Sequence, residues 1–326
     1  MKYILISVLF LISCQKENVG FHDERKIVIN GLIDSDNSLA VNVSGSLSIT
    51  DTAKMVFENG LFNSKVYMYE SNNYVDTLCN LAYKQYIDYI TNVRQVEYSE
   101  FIQFLYIRDL QNFRAENIQP KPGKEYKVVV KTPGYPDAFA TTQIPDMVKI
   151  DHWDTTHFFV QGADELKHKI AYNVEFLDPK ENKNYYVFYI YFSSDFETPY
   201  LWADGVTHSC PYTEEEINHG TMNLGIAFSD KSINGNKCRI SGNIDVGSIG
   251  FPFYDDHSHY KHFRSVVYFK LYSVTEGYFK YIQTLNLHLK NLASPIAEPV
   301  QVYSNVQGGY GVFEGAAVST DSLVFK

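Results

Sequence analysis

Alternation of apolar and polar residues dominates this chain, and its period is two. In EYKVVVK (125–131), Tyr126, Val128 and Val130 fall on one face and Lys127 and Lys131 on the other, as a half-buried strand requires. IAYNVEF (170–176) repeats the pattern with Ile170, Tyr172, Val174 and Phe176 on one side. KIVINGLI (26–33) and SLAVNVSGSLSI (38–49) read as paired strands joined by the turn-forming DSDN. SKVYMYE (64–70), KCRISGNIDV (237–246) and RSVVYFKLYSV (264–274) are further strands. NYYVFYIYF (184–192) is nearly continuous apolar and aromatic, which suits a central strand covered on both faces. Pro122-Gly123 and Pro133-Gly134 punctuate the region 120–145 as turns.

The period changes near the C-terminus. In TEGYFKYIQTLNLHLKNLA (275–293) the residues Tyr278, Ile282, Leu285, Leu289 and Leu292 recur at spacings of four and three, which predicts a helix packed on a sheet. Thr275 is its expected N-cap, with Glu276 in the first turn. TEEEINHG (213–220) reads as a second, very short helix with a Thr213–Glu216 capping box and a terminal Gly220. The expectation is therefore an all-β protein of two β-sandwich-like regions with one amphipathic helix near the C-terminus. The N-terminal region, 25–146, resembles a small Ig-like or transthyretin-like sandwich. It carries an aromatic-rich insertion at 80–113, a candidate contact surface. The larger C-terminal β region takes up 147–326.

Composition agrees with sheet: 26 Tyr and 22 Phe stand beside only 2 Trp. A net charge of -10 and the absence of any Lys/Arg cluster argue against nucleic acid as a partner.

The first residues follow a different logic. Lys2 precedes an apolar run, Tyr3 to Ile12, which is too short to span a bilayer and has the dimensions of a secretory h-region. Leu11, Ile12 and Ser13 then lead to Cys14, an order that resembles the bacterial lipobox. That resemblance implies a signal peptide at 1–13 and a cysteine that is acylated (palmitate among the chains) and becomes the mature N-terminus. Acyl chains stabilise membrane attachment by about 0.8 kcal/mol per buried methylene, so several of them anchor a protein without a spanning helix. Residues 14–24 form a lipidated tether. Gln15, Lys16, Glu17 and Asn18 partly resemble the surface-export signal of Bacteroidetes lipoproteins, so the expected location is the outer membrane, surface-exposed.

Export places Cys79, Cys210 and Cys238 in an oxidising compartment. Cys210 and Cys238, both in loop-rich sequence of one region, are the natural disulfide pair; Cys79 is left as a small buried hydrophobe. The densest polar cluster is YDDHSHYKHF (254–263), where Asp255, Asp256, His257, His259 and His262 are weak candidate metal ligands; the competing reading is a plain polar loop. HWDTTHFF (152–159) carries His152 and His157 but is too sparse for a triad. No nucleophile elbow, zinc-protease, phosphate-loop or dinucleotide motif occurs, so no catalytic residue and no cofactor is assigned. The glycines of GGYG (308–311) predict a tight turn or close strand approach.

Four stretches, KPGKEYKVVVKTPGYPDAFATTQIP (121–145), NKNYYVFYIYF (182–192), FSDKSINGNK (228–237) and SPIAEPVQVYSNVQGGYGVFEGAAVS (294–319), together with the lipobox, resemble the Bacteroidetes outer-membrane lipoproteins catalogued as domain of unknown function 4249. The resemblance implies a lipid-anchored, non-enzymatic accessory or binding protein that partners a TonB-dependent transporter in nutrient uptake. Beside it stand two other expectations: a surface glycan-binding adhesin using Tyr and Phe rings, and a metal-dependent hydrolase centred on 255–262.

Overall fold

The computed structural model describes residues 25–36, 39–46, 61–80, 112–115, 118–162, 166–194, 200–201, 206–219, 222–245, 265–292 and 298–325. In chain order the strands are β1 (Ile27–Asp34), β2 (Ala40–Gly45), β3 (Lys65–Glu70), β4 (Asn73–Leu78), β5 (Asn112–Arg114), β6 (Glu125–Lys131), β7 (Ala138–Gln143), β8 (His152–Gln161) and β9 (Leu166–Leu177). There follow β10 (Tyr185–Ser194), β11 (Tyr200–Leu201), β12 (Val206–Ser209), β13 (Glu215–His219), β14 (Met222–Ser229), β15 (Lys237–Asp245), β16 (Ser265–Val274) and β17 (Gly309–Phe325). The one α-helix among the described residues, α1 (Glu276–Leu292), lies between β16 and β17. The all-β expectation with a single C-terminal helix is what the protein shows.

A nine-stranded sheet runs in the order β13-β14-β10-β16-β17-β1-β2-β5, with β11 beside β10. Two four-stranded sheets, β4-β3-β6-β7 and β12-β15-β9-β8, complete the architecture. Side-chain parity shows how they stack, because successive strand residues point to opposite faces. Phe313 and Ala317 of β17 enter a first core with Ile27, Ile29 and Ile33 of β1 and with Tyr126, Val128 and Val130 of β6. Leu323, further along the same odd face, packs on a second core containing Phe269 and Leu271 of β16 and Tyr172 and Phe176 of β9. Ala316 and Val318 face the other way, toward Tyr272, Val274 and the helix residues Phe279 and Ile282. Both small sheets thus lie side by side on one face of the large sheet, and α1 covers part of the other.

Strand β17 joins the two cores. Its first half pairs parallel with β1, from Ile27↔Gly309 to Asp34↔Ala316, and its second half pairs antiparallel with β16, from Val274↔Ala316 to Ser265↔Phe325. Seventeen residues of strand are roughly 55 Å long. Residues on either side of position 146 therefore share one sheet, and the crossover between the small sheets is pinned to its inner face. Val148 N–H donates to Ser273 Oγ at 3.1 Å and Ile150 N–H to Ser319 Oγ at 2.9 Å. The glycines of GGYG serve this pairing: a Cβ on Gly309 or Gly311 would run into the carbonyl oxygen of Ile27 or Ile29.

Two local expectations need correction. Residues 213–220 are not a helix, because Glu215–His219 forms β13 against β14, starting at Glu215↔Ala227. Glu216, the expected capping-box partner of Thr213, pairs in β13 opposite Ile226, and Glu214 turns its carboxylate to the N–H and hydroxyl of Ser229. In α1, Thr275 caps as expected, accepting from Tyr278 N–H at 3.2 Å, and Phe279 and Ile282 are buried. Leu289, however, is 48% exposed. The last turns are held by polar bonds instead: Asn286 donates to the Glu216 carbonyl and Asn291 to the Glu298 carbonyl, both at 3.0 Å. Among the described residues, no helix is long and apolar enough to cross a membrane.

Candidate functional site

Cys14, the tether to residue 24, most of the 80–113 insertion, and Asp255, Asp256, His257, His259 and His262 lie outside the described residues. Cys210 and Cys238 are brought into one core, but the expected sulfur–sulfur bond is not present: both are free thiols. Cys238 sits on β15, wholly buried, and Cys210 follows β12, the neighbouring strand. Interaction between the two sulfurs lowers the Cys210 thiol and, together with burial, raises that of Cys238. Cys79 is exposed, not buried as its composition suggested; at the edge of the insertion it pairs backbone to backbone with Arg114.

The stretches NKNYYVFYIYF and FSDKSINGNK meet at a buried polar tie. Asp178, just past β9 and 1% exposed, accepts Tyr186 O–H at 2.5 Å, Gly235 N–H at 2.9 Å and an Asn184 amide N–H at 3.4 Å. Asp230, at the end of β14, accepts Asn184 N–H at 2.7 Å. Burial, then the Asp178 carboxylate, raise the Tyr186 hydroxyl far above its ordinary value. The tie fastens the ends of β9, β10, β14 and the turn into β15. All its near partners are satisfied by the protein itself, which marks it as structural.

Two ionisable groups, Glu314 buried and His208 half-buried, add pH dependence. Glu314 of β17 accepts from Thr142 and Thr275 hydroxyls at 3.0 and 2.8 Å, and burial raises its carboxyl above the ordinary glutamate value. A Cβ on Gly277 would collide with that carboxylate, so the first turn of α1 and β17 are matched there. His208 of β12 lies 2.6 Å through Nδ1 from Tyr172 O–H, and burial lowers it to about 4. The depressed value means that folding favours the neutral ring. The stability this supplies is complete above about 6.5 and is lost as pH falls from there toward the folded value. Urea unfolding at pH 7.5 and 4.5 should show the wild type losing on the order of 2–3 kcal/mol more than His208→Gln; equal losses would remove His208 as the acid-sensitive group.

Among the described residues, the β8–β9 hairpin carries the most exposed large apolar side chain, Phe159. Phe176 packs against Tyr186 and Phe228, and Tyr172 against Phe188 and Phe269. Going back along β9 from Phe176 to Tyr172 thus follows β10 forward, toward its end at Ser194. Ile170 is the last buried residue on that face; beyond it His157, His168 and Phe159 overhang the core, with Phe159 62% and Val160 41% exposed. This end is opposite to the start of β1, where the tether would enter, because β17 starts beside Ile27 and ends beside Ser265. β8 is also an edge strand of ten residues, HWDTTHFFVQ, paired with β9 in unbroken register and carrying neither Pro nor Lys. Natural edges are normally blunted by such residues, by bulges or by brevity. Here β5 and β12 are short, and the pairings of β4 and β13 carry register shifts. His157 was visible in the sequence; its partner His168 and the stacking Phe159 were not, because only the hairpin register places them on one face.

Fold and sites together define an all-β protein with two cores built on one shared sheet and an overhanging aromatic hairpin. The chain matches the family described as Domain of unknown function (DUF4249) over residues 16–322, and it belongs to that family. No curated protein matches it.

Proposed function

We propose that this is a lipid-anchored outer-membrane accessory protein, non-enzymatic, that partners a TonB-dependent transporter in nutrient uptake. The observation that carries the reading is the order of elements at the N-terminus: Lys2, the apolar run to Ile12, Cys14, and twelve polar-rich residues before β1 begins at Ile27. Such a tether reaches at most roughly 45 Å, so the acylated cysteine keeps the start of β1 near the bilayer. The opposite end of β17 then carries the overhanging hairpin outward. Its exposed Phe159 and Val160, on an unblunted edge strand, are the contact surface for an extended segment of the transporter. Export also puts the neighbouring thiols of Cys210 and Cys238 in an oxidising compartment, where a thiol–disulfide oxidant takes the two electrons and two protons that their disulfide releases.

The test is a detergent pull-down of the tagged lipoprotein from its native envelope, with mass spectrometry of what it retains. An outer-membrane transporter recovered with wild type and depleted with Phe159→Ser/Val160→Ser is the expected result. Recovery of no such transporter removes the partnership, and retention on a polysaccharide column without it would put a glycan-binding adhesin in its place.

A further inference from the structure

We propose that His157 and His168 form a binding site for a divalent late transition metal, copper(II) above all. His157 Nδ1 and His168 Nε2 stand 3.0 Å apart on the overhanging face of the β8–β9 hairpin. His157 is opposite Ile170 and His168 opposite Phe159, so the two imidazoles are diagonal neighbours on one face of an unbroken antiparallel pair. A bond between the exposed His157 ring and the half-buried His168 ring replaces bonds to water and contributes little to folding, so folding alone does not explain why the nitrogens converge.

Metal geometry does. Two metal–nitrogen bonds of about 2.0–2.1 Å spanning this separation subtend an angle of about 95°. That angle is open to adjacent positions of a square or tetragonal ion such as copper(II) or nickel(II). Copper(II) then leads by intrinsic affinity for imidazole. The Phe159 ring lies stacked on His168, centroids 4.8 Å apart and 19° from parallel, and fixes the plane of that ligand. Lys169 points to the other face of β9, where it pairs with Asp245 at 3.9 Å. Because the hairpin overhangs the core, the remaining coordination positions open outward, to water or to a donor group on a bound molecule. The site uses no residue of the 254–263 cluster and does not depend on the membrane reading.

The test titrates the full-length lipoprotein in detergent with copper(II), following it by electron paramagnetic resonance and by competition with a chelating dye. Wild type should take up one tightest equivalent with an axial signal and coupling to two imidazole nitrogens. His157→Gln and His168→Gln should each weaken that equivalent by about tenfold or more, with unchanged thermal unfolding curves. If the His157→Gln/His168→Gln double variant keeps the wild-type affinity, the metal sits elsewhere and the proposal is overturned. A wild-type signal lacking imidazole coupling overturns it too.

Discussion

Gly311→Val is expected to prevent the protein from reaching its native fold. Gly311 has φ 101°, a left-handed conformation that L side chains adopt only under strain. Its missing Cβ is the space occupied by the carbonyl oxygen of Ile29, its own partner in the parallel ladder between β1 and β17. A branched side chain would add conformational strain of about 1–3 kcal/mol and also push β1 away. Ile27, Ile29 and Ile33 would leave the first core with it, each wholly or almost wholly buried now. Burial of each such side chain stabilises by roughly 1.5–3 kcal/mol, and the total reaches the stability of an ordinary domain. Gly134→Ala is the control. Its φ is 82°, but no atom lies within 4 Å of the place a Cβ would take, so only the strain of about 1 kcal/mol remains. Urea unfolding of both variants decides the matter: G311V within about 1 kcal/mol of wild type would mean that β17 is not the element that joins the cores.

Asp178→Ala should cost about 4 kcal/mol, the second largest effect. The substitution removes the acceptor of Tyr186 O–H and Gly235 N–H beside a position that is 1% exposed, while the Asn184 amide keeps the Pro179 and Asn182 carbonyls. Tyr186→Phe removes one donor together with its need for a partner, and should cost only about 1–2 kcal/mol. The two changes act on one network, so the double variant should lose less than the sum of the singles. Strict additivity by chemical denaturation would show that the hydroxyl and carboxylate do not act together.

Period-two patterning was legible because each core strand has one wet and one dry face: Tyr126, Val128 and Val130 are wholly buried as EYKVVVK predicted. NYYVFYIYF is central, between β14 and β16, because it is apolar on both sides. The start of α1 was legible from Thr275, whereas Leu289 misled because helical spacing says nothing about how far the sheet extends beneath the helix. TEEEINHG misled for a related reason: its acids look like a helix start, and only the neighbouring β14, with Ser229, draws them into a strand. The glycines of 308–311 announced a close approach, but a parallel pairing with β1, from the far end of the chain, leaves no local trace. Chemistry followed the same divide. The nearness of Cys210 and Cys238 was readable from their shared region, while the convergence of His157 and His168 depends on which hairpin residues fall opposite each other.

The anchor at Cys14 is the point on which the functional account turns, and the intact mass of the mature protein, extracted from its native envelope, tests it most directly. The account predicts a chain that starts at Cys14 and carries the added mass of its acyl chains. A chain with an unmodified N-terminus, or one that keeps residues 1–13, would contradict it.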